Sequence, residues 1–307
     1  MRKSASLVLA SLVVLAACAS APPAPPQQQA PVVPAAPKPL LLGLGTPTGT
    51  EDAARDADAL QGAFSKALGA PVTTKVFEGY DPLVEAIVKG EVDIAWLPPL
   101  GYVRAAQKAA ITPLRKAKRH GKSFYKAVLF ASASKKKWKV PADAKGSSVA
   151  WVSESSTSGF LFPKALLLEA GLDPSKLFKK ESFLGDHTAV CQAVLDGKAD
   201  VGASFTDDLD ATDLGQISTC YSLLSDSRPK LKVLAASEKI PNDVLVARAG
   251  LDAATQEKVG KALDALAADG AFGDLFTKLF DADGFEPATS ADYDAVRKAA
   301  ALVVMKQ

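Results

Sequence analysis

The chain has 307 residues, 48% of them hydrophobic, enough apolar material for one large or two medium domains. Its 36 Lys+Arg nearly balance 34 Asp+Glu, which excludes a polybasic nucleic-acid coat and a highly charged disordered chain. Two histidines argue against a multi-histidine metal centre, and three cysteines without CxxC spacing against zinc or a disulfide scaffold.

Met1-Arg2-Lys3 gives a positive start, and the mainly apolar stretch from Ala5 to Ala17 is too short for a stable membrane span. Residues 1–17 therefore read as a cleaved secretory signal. It runs into Leu15-Ala16-Ala17-Cys18, which resembles the bacterial lipobox and implies lipidation of Cys18 as the mature N-terminus. Residues 18–39 follow as a Pro/Ala/Gln-rich linker holding eight of the twenty prolines. Such a tether cannot form helix or sheet, and at about 3.1 Å per residue it reaches roughly 60 Å. A periplasmic or cell-envelope location follows, with the membrane reached only through the lipid. In that oxidising space Cys191 and Cys220 either pair, closing a loop worth roughly 3 kcal/mol, or stay two buried thiols.

From Leu40 the chain alternates short apolar strands with amphipathic helices, the signature of an α/β fold. The predicted elements run strand 40–44, helix 51–68, strand 72–77, helix 82–89, strand 92–97, helix 100–108 and strand 125–132. They continue with strand 147–152, helix 158–170, strand 182–184, helix 188–196, strand 201–205, strand 232–236 and strand 244–247. Helices 253–268, 272–280 and 291–305 close the chain. The first helix places Ala53, Ala57, Leu60, Phe64 and Leu68 on one face. Residues 80–98 and 187–204 share one wording, a short helix, a Gly turn, an acidic residue and a buried strand. Used once in each half, this unit favours two lobes. One is expected to comprise 40–130 plus 235–307 and the other 131–234, with residues 125–132 and 232–237 as connecting strands.

The chemistry concentrates at one strand-to-helix turn. Ser147–Val152 is strand-like, and Ser155-Ser156-Thr157-Ser158-Gly159 follows at once, ahead of an apolar helix. A helix N-terminus presents unpaired N–H groups and about half a positive charge, so it favours anions. Hydroxyls add neutral donors, and Gly lets the backbone approach closely. One hydroxyl satisfies an N-cap; four in a row exceed that need and point to an anion site.

Residues 77–103 (FEGYDPLVEAIVKGEVDIAWLPPLGYV), 145–173 (KGSSVAWVSESSTSGFLFPKALLLEAGLD), 185–203 (GDHTAVCQAVLDGKADVGA) and 239–243 (KIPND) together resemble the phosphonate/phosphite-binding periplasmic component of ABC importers. This PhnD-like resemblance covers about 40 to 250. It implies an α/β, two-lobed type II periplasmic-binding-protein fold with a mixed sheet in each lobe and two hinge strands, closing on a phosphorus oxyanion. It further implies that Tyr80 and Tyr125 reach the ligand, that Ser156, Thr157 and Ser158 cradle its oxygens, and that His187 contacts the same group. Asp207 and Asp243 match positions where such binders hold a cationic amine, which would favour an aminoalkylphosphonate over bare phosphite. No arginine falls in the matched motifs, so neutral donors, the helix dipole and His187 are expected to carry the anion.

The expected function is thus a solute-binding lipoprotein, a monomer that delivers its ligand to an inner-membrane ABC permease. A sensory binding lipoprotein of the same fold is the alternative. No enzymatic activity, cofactor, metal or nucleic-acid partner is expected. Ser156 or Ser158 with His187 would imitate a nucleophile–base pair, but no GxSxG elbow presents the serine. The run Lys135-Lys136-Lys137-Trp138-Lys139 reads as a solvated loop, since a nucleic-acid role needs a wider patch.

Overall fold

A computed structural model describes residues 38–46, 51–207, 217, 219–220 and 230–305. The signal segment, Cys18 and most of the linker lie outside the described residues. The described body belongs to one compact unit, 37–307.

Two mixed sheets organise it. The first has six strands in the order β11-β4-β10-β3-β1-β2: β1 (Leu40–Thr46), β2 (Val72–Glu78), β3 (Ile94–Leu97), β4 (Thr112–Lys118), β10 (Val244–Ala247) and β11 (Gly284–Pro287). The second runs β7-β6-β8-β5-β9: β5 (Phe124–Ser132), β6 (Ser147–Trp151), β7 (Phe178–Phe183), β8 (Val201–Thr206) and β9 (Leu231–Pro241). β1 pairs in parallel with β2 and β3, and β6 with β7 and β8, whereas β5 is antiparallel to both its neighbours.

The expected connecting strands, 125–132 and 232–237, both lie inside the second sheet and pair with each other from Phe124↔Pro241 to Ser132↔Leu231. Sheet membership therefore changes at 119–123 and 242–243, so the second sheet takes in residues 124–241 where a lobe of 131–234 was expected. Nothing in composition marks the change, because β5 and β9 are as apolar as the strands around them.

Both faces of the first sheet are covered. α1 (Glu51–Leu68), α7 (Ala253–Ala268) and α8 (Gly273–Phe280) bury Leu60, Phe64, Leu263 and Phe276 against Leu42, Leu44, Ile94 and Trp96. On the other face α2 (Tyr80–Lys89) buries Leu83, Val84 and Ile87, worth about 1.5–3 kcal/mol each. That second cluster continues through α3 (Pro99–Lys108) to α9 (Asp294–Met305) and to α4 (Phe162–Glu169) of the second lobe. One apolar core thus runs across both lobes beside the cleft. In the second lobe the short α5 (Pro174–Leu177) leads into β7, α6 (His187–Leu195) covers one sheet face, and Trp151, Phe160 and Phe178 fill the other. A disulfide joins Cys191 to Cys220, with Cα atoms 5.6 Å apart.

The strands β4 and β11 escape sequence reading. β4 carries Thr-Pro-Leu-Arg-Lys-Ala-Lys, whose buried Lys116 hides the alternation and is paired with Glu286 and Asp292 at 3.1 and 2.9 Å. The single helix expected over 158–170 is also two pieces. Residues 157–161 form a widened π-turn and α4 begins only at Phe162, where Pro163 occupies the first turn because it has no N–H to donate.

Candidate functional site

The C-terminal ends of the parallel strands in each sheet face one cleft of about 600 Å³. Lobe 1 contributes Tyr80, Trp96, Arg119 and Asp243; lobe 2 contributes Tyr125, the 155–158 turn, His187 and Phe205. Seven of the eight residues singled out from sequence line it: Tyr80, Tyr125, Ser156, Thr157, Ser158, His187 and Asp243. Asp207 does not. It follows the last residue of β8, where its backbone carbonyl accepts from Lys122 Nζ at 3.4 Å. Asp208 and Asp210 beside it lie outside the described residues.

The cradle is built by β6 ending at Trp151 and the π-turn opening six residues later. Ser156 does serve as the N-cap, its Oγ accepting from Gly159 N at 3.0 Å. Its own O–H remains a donor. Thr157, 3% exposed, accepts from Leu100 N at 3.1 Å, tying the cradle to the N-terminus of α3 across the cleft. The Ser158 and Thr157 hydroxyls beside the Tyr125 hydroxyl pull its pKa down, the smallest of the influences on it. Burial, with the charge of Asp243 added, pushes both Tyr80 and Tyr125 well above the ordinary phenol range, against the opposing pull of Arg119. Both phenols therefore stay protonated donors. Gly45 at the end of β1 lets the Tyr80 ring sit close, since a Cβ there would meet the ring at 2.7 Å.

His187 opens α6, which Asp186 caps by accepting from Ala189 N at 2.8 Å. Its Nδ1 is 2.9 Å from Oγ of fully buried Ser204, and its ring meets Phe205 edge-on at 5.0 Å. Burial lowers the imidazole to about 4, more than neighbouring Asp186 raises it. A neutral ring whose Nδ1 takes the Ser204 proton carries its own N–H at Nε2, the tautomer that donates to an oxyanion. The unfolded chain binds this proton near 6.5 and the folded one near 4, so stability is fully present above 6.5 and falls between those values. The expected loss is on the order of 3 kcal/mol. Urea unfolding at pH 7 and pH 4.5 measures it, with His187→Gln expected to flatten the difference.

Arg119, absent from the matched motifs, is the group that sequence reading missed. It follows β4 in the alternating run Arg115-Lys116-Ala117-Lys118-Arg119, whose strand character was the missing signal. Its Nη2 donates to Asp243 Oδ2 at 2.7 Å, and its Nε lies 3.0 Å from Asp281 Oδ2. Burial works against its charge, but Asp243 and Asp281 win and raise it further. Asp243 is thus already matched by a cation of the protein itself.

Helix N-termini, four hydroxyls, two phenols and a neutral imidazole converge, with Arg119 held by Asp243 and Lys278 the other basic side chain on the lining. Such a surface binds a small oxyanion by charge-assisted hydrogen bonds. The family model for the phosphonate periplasmic substrate-binding protein of ABC transporters matches residues 46–293. The chain belongs to that family. The Phosphate-import protein PhnD of Mycolicibacterium smegmatis is 29% identical over 266 residues, 78% of each chain. Two solved structures share the fold at a TM-score of 0.69 and 20% identity. One is the binding component of a Pseudomonas aeruginosa ABC phosphonate transporter, covering 88% of this chain and 87% of that one. The other is PhnD1 of Prochlorococcus marinus with methylphosphonate, covering 86% and 97%. The fold of this binding protein is the type II periplasmic-binding-protein fold. Its family works outside the cytoplasm, and among the described residues no helix is long and apolar enough to cross a membrane.

Proposed function

We propose that the protein captures a phosphorus oxyanion, phosphate or a phosphonate, in the cleft between its lobes and delivers it to an ABC permease. The observation that carries this reading is the 155–158 turn. It brings a helix N-terminus and consecutive hydroxyls against the Tyr125 phenol and the His187 imidazole. In this reading Tyr80, Tyr125, Ser156, Thr157, Ser158 and His187 hold the anion. The names of the Mycolicibacterium relative and of the Prochlorococcus complex support the same ligand class. Lipidation at Cys18 would keep the receptor at the membrane, as the lipobox-like segment suggests.

The finer choice of ligand turns on Asp243. An aminoalkylphosphonate needs an unmatched carboxylate for its ammonium, whereas Asp243 is held by Arg119 at 2.7 Å. This favours phosphate or a phosphonate without an amine. Calorimetric titration with phosphate, phosphite, methylphosphonate and aminoethylphosphonate tests both levels. Tight binding of phosphate or methylphosphonate, with aminoethylphosphonate at least about tenfold weaker, is expected. Strongest binding of aminoethylphosphonate would overturn the finer choice, and binding of none of the four the whole reading.

A further inference from the structure

The lysine run at 135–139 is wider in space than in sequence. Strand register places the C-terminal end of β5 and the N-terminal ends of β6, β7, β8 and β9 at one rim, the pole of lobe 2 opposite the cleft. That rim gathers Lys135, Lys136, Lys137 and Lys139 from the loop after β5. Lys145, Lys176, Lys179, Lys198, Lys230 and Lys232 join them from the neighbouring strand ends. Among the described residues ten lysines face four aspartates there, Asp143, Asp173, Asp196 and Asp200, an excess of six positive charges in a chain whose formal net charge is +2. Three of the aspartates are matched one to one, by Lys176, Lys198 and Lys135. Lys136, Lys137 and Lys139 are exposed, and Val140 beside them is 51% exposed.

We infer that this pole is a docking surface for the anionic headgroups of a phospholipid bilayer. Three observations favour lipid over a protein partner. Among the described residues of the lobe every cation at the rim is a lysine, and lysine is depleted and arginine enriched where proteins meet proteins. The charges spread over the ends of five strands, which suits a laterally mobile headgroup layer. The folded body also begins at Lys38, where β1 starts at the outer end of lobe 1, so a tether and the lysine rim act at opposite poles. One weak lipid contact gains from a second, and a polybasic surface is a common second signal. Contact at both ends would lay the molecule along the membrane and hold the cleft near a permease.

The inference is independent of the ligand. Its test uses the chain from Ala19 onward, which keeps the tether and the whole described body and lacks Cys18. Vesicles rich in phosphatidylglycerol should co-sediment it, and vesicles of pure phosphatidylcholine should not. High salt should release it, because exposed charges are screened beyond a few ångströms at about 1 M. The exposed triple variant Lys136→Glu/Lys137→Glu/Lys139→Glu should lose about 100-fold in vesicle affinity and keep its phosphate or methylphosphonate affinity unchanged. Equal binding to both vesicle types, or a triple variant that binds like the parent, would overturn the lipid assignment. So would capture of a solubilised permease, lost in the triple variant, by a chain that ignores both vesicles.

Discussion

Gly159→Ala is expected to cost at least about 100-fold in affinity for the bound oxyanion. A Cβ at this position would lie 2.3 Å from Val152 Cγ2, 2.5 Å from Val152 Cβ and 2.8 Å from Ser156 Oγ. None of these is the far end of a flexible chain, so the backbone of the turn must move. Val152 N donates to Gly159 O at 3.1 Å and Gly159 N donates to Ser156 Oγ, and one shift strains both bonds. The hydroxyls of Thr157 and Ser158 and the N–H groups around them then leave the positions that converge on the anion. Overpacking of this kind costs about 1–3 kcal/mol of stability, so the folded protein should survive and calorimetry can separate binding from unfolding. A variant that folds and binds as the parent would remove the cradle from the site.

The second large effect is expected at Arg119. Replacing it with methionine leaves Asp243 and Asp281 without their cation beside the proposed anion site, and stability should fall by about 3 kcal/mol. Affinity for methylphosphonate should fall at least about tenfold through repulsion. Aminoethylphosphonate should fall less, because the released carboxylate now meets its ammonium. Adding Asp243→Asn should restore most of the methylphosphonate affinity, and the double-mutant cycle gives the coupling. If the single variant loses neither stability nor affinity, the ion pair is a bystander.

The apolar alternation was legible enough to place most strands and the helices around the first sheet. The hydroxyl-rich turn could be read because helix N-termini and neutral donors leave a local pattern. Seven of the eight residues singled out from the sequence line one cleft because each sits at a strand end or helix start that the pattern marks. What could not be read depended on pairing between distant segments. Lys116 disguises β4 until Glu286 and Asp292 meet it, and without β4 the approach of Arg119 to Asp243 has no basis. Ser204 behind His187 looks like any small residue in a buried strand. The lysine rim needs the register of five strands before ten separate side chains become one surface.

The most direct measurement is a nitrogen–proton NMR spectrum of the two histidines as methylphosphonate is added. His187 Nε2–H should shift to lower field on binding and show coupling to phosphorus across the hydrogen bond, while His120 stays unchanged. Saturable binding that leaves His187 unmoved would contradict an anion held in this cleft.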